Sequence, residues 1–465
     1  MNISGIRRGN LGNTAQIPVG LASAPKPWNQ IQENRGSLFV LLMFLLFLGA
    51  YMSDARPLLS ENLSTLLAVP TIGVAISKMG RVGREQRAIS ATLICLLLWY
   101  VFVSRNPVEF RKPVLFILAL TFVFSSQHLM TKSGVKAVFG GLTGFFATSN
   151  IFLLASVVWP EAREFRQWLY PLTDEGYISL LDEGLNPYVD AVAQGGLKRL
   201  LHEFGYQLAI GCTLTFGAAT LCTGRMRFVM LGFSVVGGLA MVVAGQRSSL
   251  VSVVIGVGLL LLVARKIKGV LLMFGALAVA WLVLSPQIND LEDMRSYNLV
   301  TRMDQGSDDL SMRVNIQLWA AGQIPSYPFG VVGAGLDYKA LAPVYGGTGT
   351  RVIAPHNGFI TRTLLYGWPV LILLAILAVH VLKMARESVC DQRFGEHLYL
   401  EWTCLGGVVA GSVNALFHNA SVLSFQEETL VCLFLYAALR RISAQRSKPL
   451  RRLAPLAPDE HLRAN

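Results

Sequence analysis

The chain is short of charge. Only 15% of its 465 residues are Asp, Glu, Lys or Arg, while 53% are hydrophobic; ordinary soluble domains carry about 25% charged residues. That shortage, with a mean hydropathy of +0.49, excludes a chain that covers itself with polar surface. Acidic residues are scarcer than basic ones, 28 against 40, giving a net charge of +12. The excess does not indicate a nucleic-acid partner. The basic residues sit in short segments between apolar runs, as membrane topology signals do. Cysteine is also sparse: Cys95, Cys212, Cys222, Cys390, Cys404 and Cys432 fall in apolar runs or on the side assigned to the cytoplasm, so no disulfide framework is implied. There is no CxxC and no Cys/His cluster with zinc spacing. The long polar stretches lack an Asp-x-Asp for a divalent metal, and no cofactor is expected. A cleavable signal peptide is not evident, because the first apolar run starts only at Ser37.

What the chain does have is a succession of apolar runs of about 15 to 22 residues. Runs such as 37-SLFVLLMFLLFLGAYM-52 and 248-SSLVSVVIGVGLLLLV-263 are apolar all round rather than striped. The expected fold is an all-α polytopic membrane protein with about 12 transmembrane helices, at 37–52, 63–77, 89–103, 114–130, 138–159, 207–222, 228–245, 248–263, 270–284, 367–384, 399–417 and 427–439. With the basic tail 1–36 inside, the basic segments 78–87, 131–136, 223–227 and 265–268 and the tail 440–465 also fall on the cytoplasmic side. Segment 104–113 is the misfit, basic yet assigned outside. Spans one to nine then occupy 37–284, interrupted by an extracytoplasmic loop at 160–206. A large extracytoplasmic loop, 285–366, precedes spans ten to twelve at 367–439. The first loop has amphipathic stretches such as 195-GGLKRLLHEFGY-206, and part of it is expected as a helix lying on the membrane surface. In the second, 312-MRVNIQLWAAGQIP-325 reads as a short interfacial helix.

The stretch from Ser311 to Pro369 is the candidate site of chemistry. It is glycine-rich, carries Arg313, Arg351, His356 and Arg362, and is too polar to cross a bilayer before Gly367. A polar segment pinned between apolar runs suits a substrate with one apolar end and one wet end. Arg247 lies in a break of a few residues between two apolar runs. An arginine held at mid-span costs about 2.5 to 3.5 kcal/mol on insertion scales, so Arg247 either caps a helix at the interface or grips an anion, and a guanidinium suits phosphate oxygens. Arg247, Arg313 and Arg351 share the assigned outer face, where they could neutralise a diphosphate leaving group. His356, after a proline and just before a span, is either a plain helix-start residue or a proton acceptor. His418, in a shorter loop, poses the same question and ranks second. Glu427 and Glu428 open the last run, and one of them is expected to face a polar cavity. The run 328-PFGVVGAGL-336 is not GxGxxG; tight turning explains its glycines.

These patterns resemble the bacterial O-antigen ligase and polysaccharide polymerase family. The likeness rests on Gln246-Arg247-Ser248 at the outer end of a span, on Arg313 six residues before Trp319 and ahead of Pro328, Gly330 and Gly333, and on His356-Asn357 with Gly367 ten residues after the Asn. It is strongest over 228–385. The ligase form of the last motif has Gly, Thr or Tyr three places after the glycine; Val370 stands there, which leans the reading towards a polymerase. The resemblance implies a GT-C-like membrane glycosyltransferase of the inner membrane, with its active site facing the periplasm. Such an enzyme takes a glycan from undecaprenyl diphosphate to a sugar hydroxyl, on another lipid-linked repeat or on lipid A–core, with inversion and without metal. Arg247, Arg313 and His356 are then the catalytic candidates, and Arg351, Asn357 and Trp319 the substrate-binding ones. Membrane lipid, a chain-length regulator and a flippase are the implied partners.

Two rivals differ in class. A transporter or flippase suits twelve spans, and 78-KMGRVGREQR-87 is similar to the basic loop of major-facilitator proteins. Gly80 stands where that pattern has an acid, however, and the large loops follow spans five and nine rather than dividing two halves. A non-catalytic assembly subunit would tolerate loss of single loop arginines.

Overall fold

The computed structural model describes residues 27–53, 57–169 apart from 78, 81, 128 and 130, 196–198, 201–264 apart from 245, 306–336, 355–390, 396–418 and 426–452. Its long elements are all helices: α1 (Pro27–Met52), α2 (Pro57–Ser77), α3 (Arg84–Ser104), α4 (Arg111–Val123), α5 (Lys132–Val158), α6 (Pro160–Leu169), α7 (Leu201–Leu221), α8 (Arg225–Ala244), α9 (Arg247–Val263), α10 (Gly306–Gln323), α11 (Gly358–Tyr366), α12 (Trp368–Cys390), α13 (Glu396–Ala415) and α14 (Glu427–Arg452). Among the described residues the β pairing is one isolated bridge, Met79 to Ser126. Pro27, Pro57 and Pro160 open their helices, where a missing N–H costs nothing. The Thr131 hydroxyl caps α5 by accepting from Gly134 N at 3.0 Å.

Most apolar runs expected to span the membrane coincide with a helix; 114–130 is helical only as far as Val123, and 270–284 lies outside the described residues. Four described helices are long and apolar enough to cross a membrane: Arg84–Ser104, Ser133–Ser156, Arg225–Ala244 and Trp368–Cys390. Ser37–Met52, Asn62–Ser77 and Arg247–Val263 are shorter apolar helices. Helices α7, α13 and α14 form the interior of the bundle. They are buried on nearly every side, shielded by other helices, so hydrogen bonding inside the bundle decides their sequence rather than contact with lipid.

Helix α14 is the post around which the bundle packs. Every residue from Leu430 to Leu439 is buried, and α14 touches α13, α5, α7, α3, α12 and α4. Helix α13 packs in turn on α7 and α9. There Gly256 and Gly406 face one another: a Cβ on Gly256 would meet Gly406 O at 2.9 Å, and one on Gly406 would meet Gly256 O at 3.2 Å. Small residues let the two backbones approach.

Polar contacts mark the two ends of the bundle. At one end the Gln207 amide donates to Met52 O and to Glu428 Oε1, both at 3.1 Å, and its oxygen accepts from Ser149 at 2.8 Å. Lys198 Nζ lies 3.5 Å from Glu428 Oε1, and both side chains are buried. Glu428 is thus the carboxylate that faces inward, while Glu427 is half-buried. The buried Arg166 of α6 donates to Gly196 O at 3.1 Å and Lys198 O at 2.7 Å. At the opposite end the buried Glu401 accepts from Arg440 at 3.3 Å and from Ser443, and Arg440 also meets Glu387 at 3.5 Å. The bundle is therefore pinned at both ends by charged groups that its core excludes.

Gly196, at φ 56°, lies in a turn and Leu201 begins α7, so residues 201–206 belong to the start of the apolar helix; the helix described within loop 160–206 ahead of it is α6 (Pro160–Leu169). The buried Lys198–Glu428 pair draws this stretch into the bundle. The misfit segment 104–113 sits at the same end as the glycine-rich stretch, since Trp99 of α3 donates to Tyr366 O at 2.7 Å and Gly333 faces Val103. The rest of loop 160–206, most of loop 285–366 and the outer parts of both tails lie outside the described residues.

Candidate functional site

The glycine-rich stretch folds by backbone interlock. Gly330 has φ 81° and Gly367 has φ 85°, conformations that glycine adopts without a steric penalty. A Cβ on Gly367 would meet Gly330 N at 2.6 Å, and one on Gly330 would meet Tyr366 Cα at 2.5 Å. Trp368 N donates to Pro328 O at 2.9 Å across the same crossing. Two motif segments far apart in sequence thus become one joint, which fixes α10 and α11 to the start of α12. Ala320, Val331 and Leu364 form its buried apolar patch, with Trp319, Ile324, Tyr327 and Ile360 packed on it.

Helix α11 begins at a defined cap. Asn357 Oδ1 accepts from Phe359 N and Ile360 N, both at 3.1 Å, which satisfies two orphan donors of the first turn. His356, immediately before the cap, has φ 51° and is half-buried. A left-handed backbone at a bulky residue is a strain that clusters at functional positions.

Two residues after the cap, Phe359 packs against the buried pair Tyr206 and Ala415. Tyr206, on α7, lies 6.3 Å from His418 between ring centroids. His418 Nε2 is in turn 2.6 Å from Ser248 Oγ, in the first turn of α9 and next to Arg247. The first turn is itself anchored, because Ser249 Oγ donates to Gly205 O at 2.8 Å. The starts of α7, α9 and α11 and the end of α13 therefore meet around Tyr206, bringing the Arg247 and His356 segments to one end of the bundle.

The expected site residues fall as follows. Arg247 is the first residue of α9 and half-buried; Trp319 is half-buried on α10; Asn357 is buried as a helix cap. Arg313 belongs to α10, but its side chain, like all of Arg351, lies outside the described residues. The sequence reading did not single out Tyr206, and it missed the Ser248–His418 pair. A histidine in a polar break, as far along the chain as His418 is from Arg247, was the available signal, and only the fold gives it a partner.

Residues 232–375 match the family described as O-antigen ligase. That segment is similar to the O-antigen ligase domain. The matched segment runs from α8 into α12 and contains Arg247, Arg313, Trp319, the Gly330–Gly367 joint, Arg351, His356 and Asn357; Tyr206 and His418 lie beyond it. No curated protein matches the chain. The likeness suggests ligase- or polymerase-type membrane glycosyltransferase activity in surface polysaccharide assembly, and the apolar helices suit a multi-pass membrane protein.

Proposed function

We propose that this protein transfers a glycan from undecaprenyl diphosphate to a sugar hydroxyl at the periplasmic face of the inner membrane, with inversion and without a metal. Arg247 and Arg313 bind the diphosphate and neutralise its developing charge as the bond from the anomeric carbon to the phosphate oxygen breaks. His356 takes the proton of the acceptor hydroxyl as the new glycosidic bond forms on the opposite face. Arg351, Asn357 and Trp319 hold phosphate or sugar. The observation that carries the reading is the convergence around Tyr206 of the α9 start, which bears Arg247, and the α11 start, which bears His356. A polymerase is favoured over a ligase by Val370, which is fully buried.

The test is glycan transfer from a lipid-diphosphate donor by membranes carrying each variant at equal protein level. Arg247→Ala, Arg313→Ala and His356→Ala are each expected to lower transfer at least about a hundredfold, the scale for loss of an oxyanion-stabilising group or a general base. Activity retained by any variant removes that residue from the mechanism. In a deletion strain, single-repeat surface material indicates a lost polymerase, and full-length chains stranded on the carrier indicate a lost ligase.

A further inference from the structure

His418 lies outside the matched segment and outside the set of residues assigned above, yet the fold delivers it to the start of α9. Its Nε2 is 2.6 Å from the hydroxyl of Ser248, the residue that follows Arg247. Ser248 is held in turn: its carbonyl accepts from Ser252 at 2.7 Å, and the adjoining Ser249 is anchored to Gly205. The imidazole is thus fixed beside Arg247 at a helix start, where backbone N–H groups already favour an anion. Two buried polar groups at this end lack a hydrogen-bond partner among the described residues: the Tyr206 hydroxyl, on the ring beside His418, and the Asn414 carboxamide, four residues before His418 in the chain. Tyr206 is in ring contact with His418, and Asn414 adjoins Ala415, which packs on Tyr206. Buried polar atoms in native proteins are almost always partnered, so a polar group outside the described residues belongs beside the Tyr206 hydroxyl.

We propose that His418 is a second cationic contact for the pyrophosphate of a lipid carrier, set beside Arg247 by its hydrogen bond to Ser248. The proposal rests on the diphosphate reading of Arg247. An imidazole ordinarily changes charge near pH 6.5, so this contact strengthens pyrophosphate binding below that pH and fades above it. Among the described side chains, the charged and titratable groups at this end of the surrounding elements are Arg247 on α9, Glu203 and Tyr206 on α7, Glu427 and Glu428 on α14, His356 and Arg362 on α11, and Lys198 in the turn before α7; the side chain of His202, on α7, lies outside them. The carboxylates favour the imidazolium and the cations oppose it. Of this set only His356 ordinarily titrates in the same range.

The test is equilibrium binding of undecaprenyl diphosphate to the full-length protein in detergent micelles at about pH 5.5 and about pH 8, with inorganic pyrophosphate as a second probe. For the wild type, affinity for the lipid diphosphate should fall about tenfold relative to His418→Gln over that interval, the worth of one charge-assisted hydrogen bond. The glutamine keeps a hydrogen bond to Ser248 but carries no charge, and the ligand's own titration is common to both proteins. His356→Asn, measured alongside, should keep the wild-type dependence. Equal pH dependence in wild type and His418→Gln overturns the proposal, as does a step that disappears in His356→Asn instead. If His418→Gln does not accumulate, His418→Asn takes its place, and a wild type with no loss of affinity at high pH is sufficient to reject the contact. Tight binding of inorganic pyrophosphate with the same pH step would place the contact on the phosphates alone; no step with either probe removes it. Arg247→Ala should weaken binding at both pH values. If it binds as wild type does, the diphosphate reading itself fails, whatever His418 does.

Discussion

Gly367 combines φ 85° with ψ −172°, a region open to glycine and closed to residues with a Cβ. Gly367→Ala should therefore cost about 3 kcal/mol or more, from strain plus collision with the Pro328–Gly330 backbone, read as loss of folded protein in detergent-solubilised membranes. Asn357 separates two roles cleanly. If its oxygen only caps α11, Asn357→Asp keeps the cap and the activity, whereas Asn357→Ala loses about 1 kcal/mol of stability. Loss of transfer in Asn357→Asp, with unchanged melting, would assign the amide to the substrate. His356→Asn retains a residue type at ease with positive φ, so its melting temperature should match the wild type while transfer fails. The sequence marked His356, Asn357 and Gly367 by motif. It did not show that Gly330 and Gly367 touch, because the contact joins segments whose separation in the chain carries no periodic signal.

Among the elements, α14 shows what apolar patterning conceals. A helix facing lipid and a helix surrounded by other helices are both apolar all round, so the run at 427–439 gave no sign of being the central post. Its polar entrance gave a partial one: Glu428 opens the helix and closes a network with Gln207, Lys198 and Ser149. Gln207→Leu should destabilise the protein by about 2 kcal/mol or more, since it strands buried acceptors at Met52 and Glu428, visible as a lowered melting temperature in detergent. Gln207→Glu should do at least as much harm, by setting two buried carboxylates together. Tyr206 and His418 were likewise illegible as partners, for each sits at a helix end whose neighbour is chosen by packing alone.

For the whole molecule, the contacts divide the helix ends into two groups. One holds the starts of α7, α9, α11 and α14 and the ends of α1, α3 and α13; the other holds Glu401, Arg440 and Ser443. The topology expected from the basic segments puts the second group on the cytoplasmic side. In a cysteine-free background, Thr348→Cys should react with a membrane-impermeant thiol reagent added from outside, and Ser133→Cys should react only after permeabilisation; the reverse pattern would invert the topology. The amino-acid order by itself determined that the chain is a bundle of apolar helices, where those helices lie, which end of each is basic, and which arginines and histidine interrupt the apolar pattern, because hydropathy and charge act residue by residue. The tertiary structure alone decided that α14 is the centre, that Gly330 meets Gly367, and that His418 stands beside Arg247. Those are contacts between helix ends, set by how side chains and small residues interlock across the bundle, and no local rule of sequence encodes them.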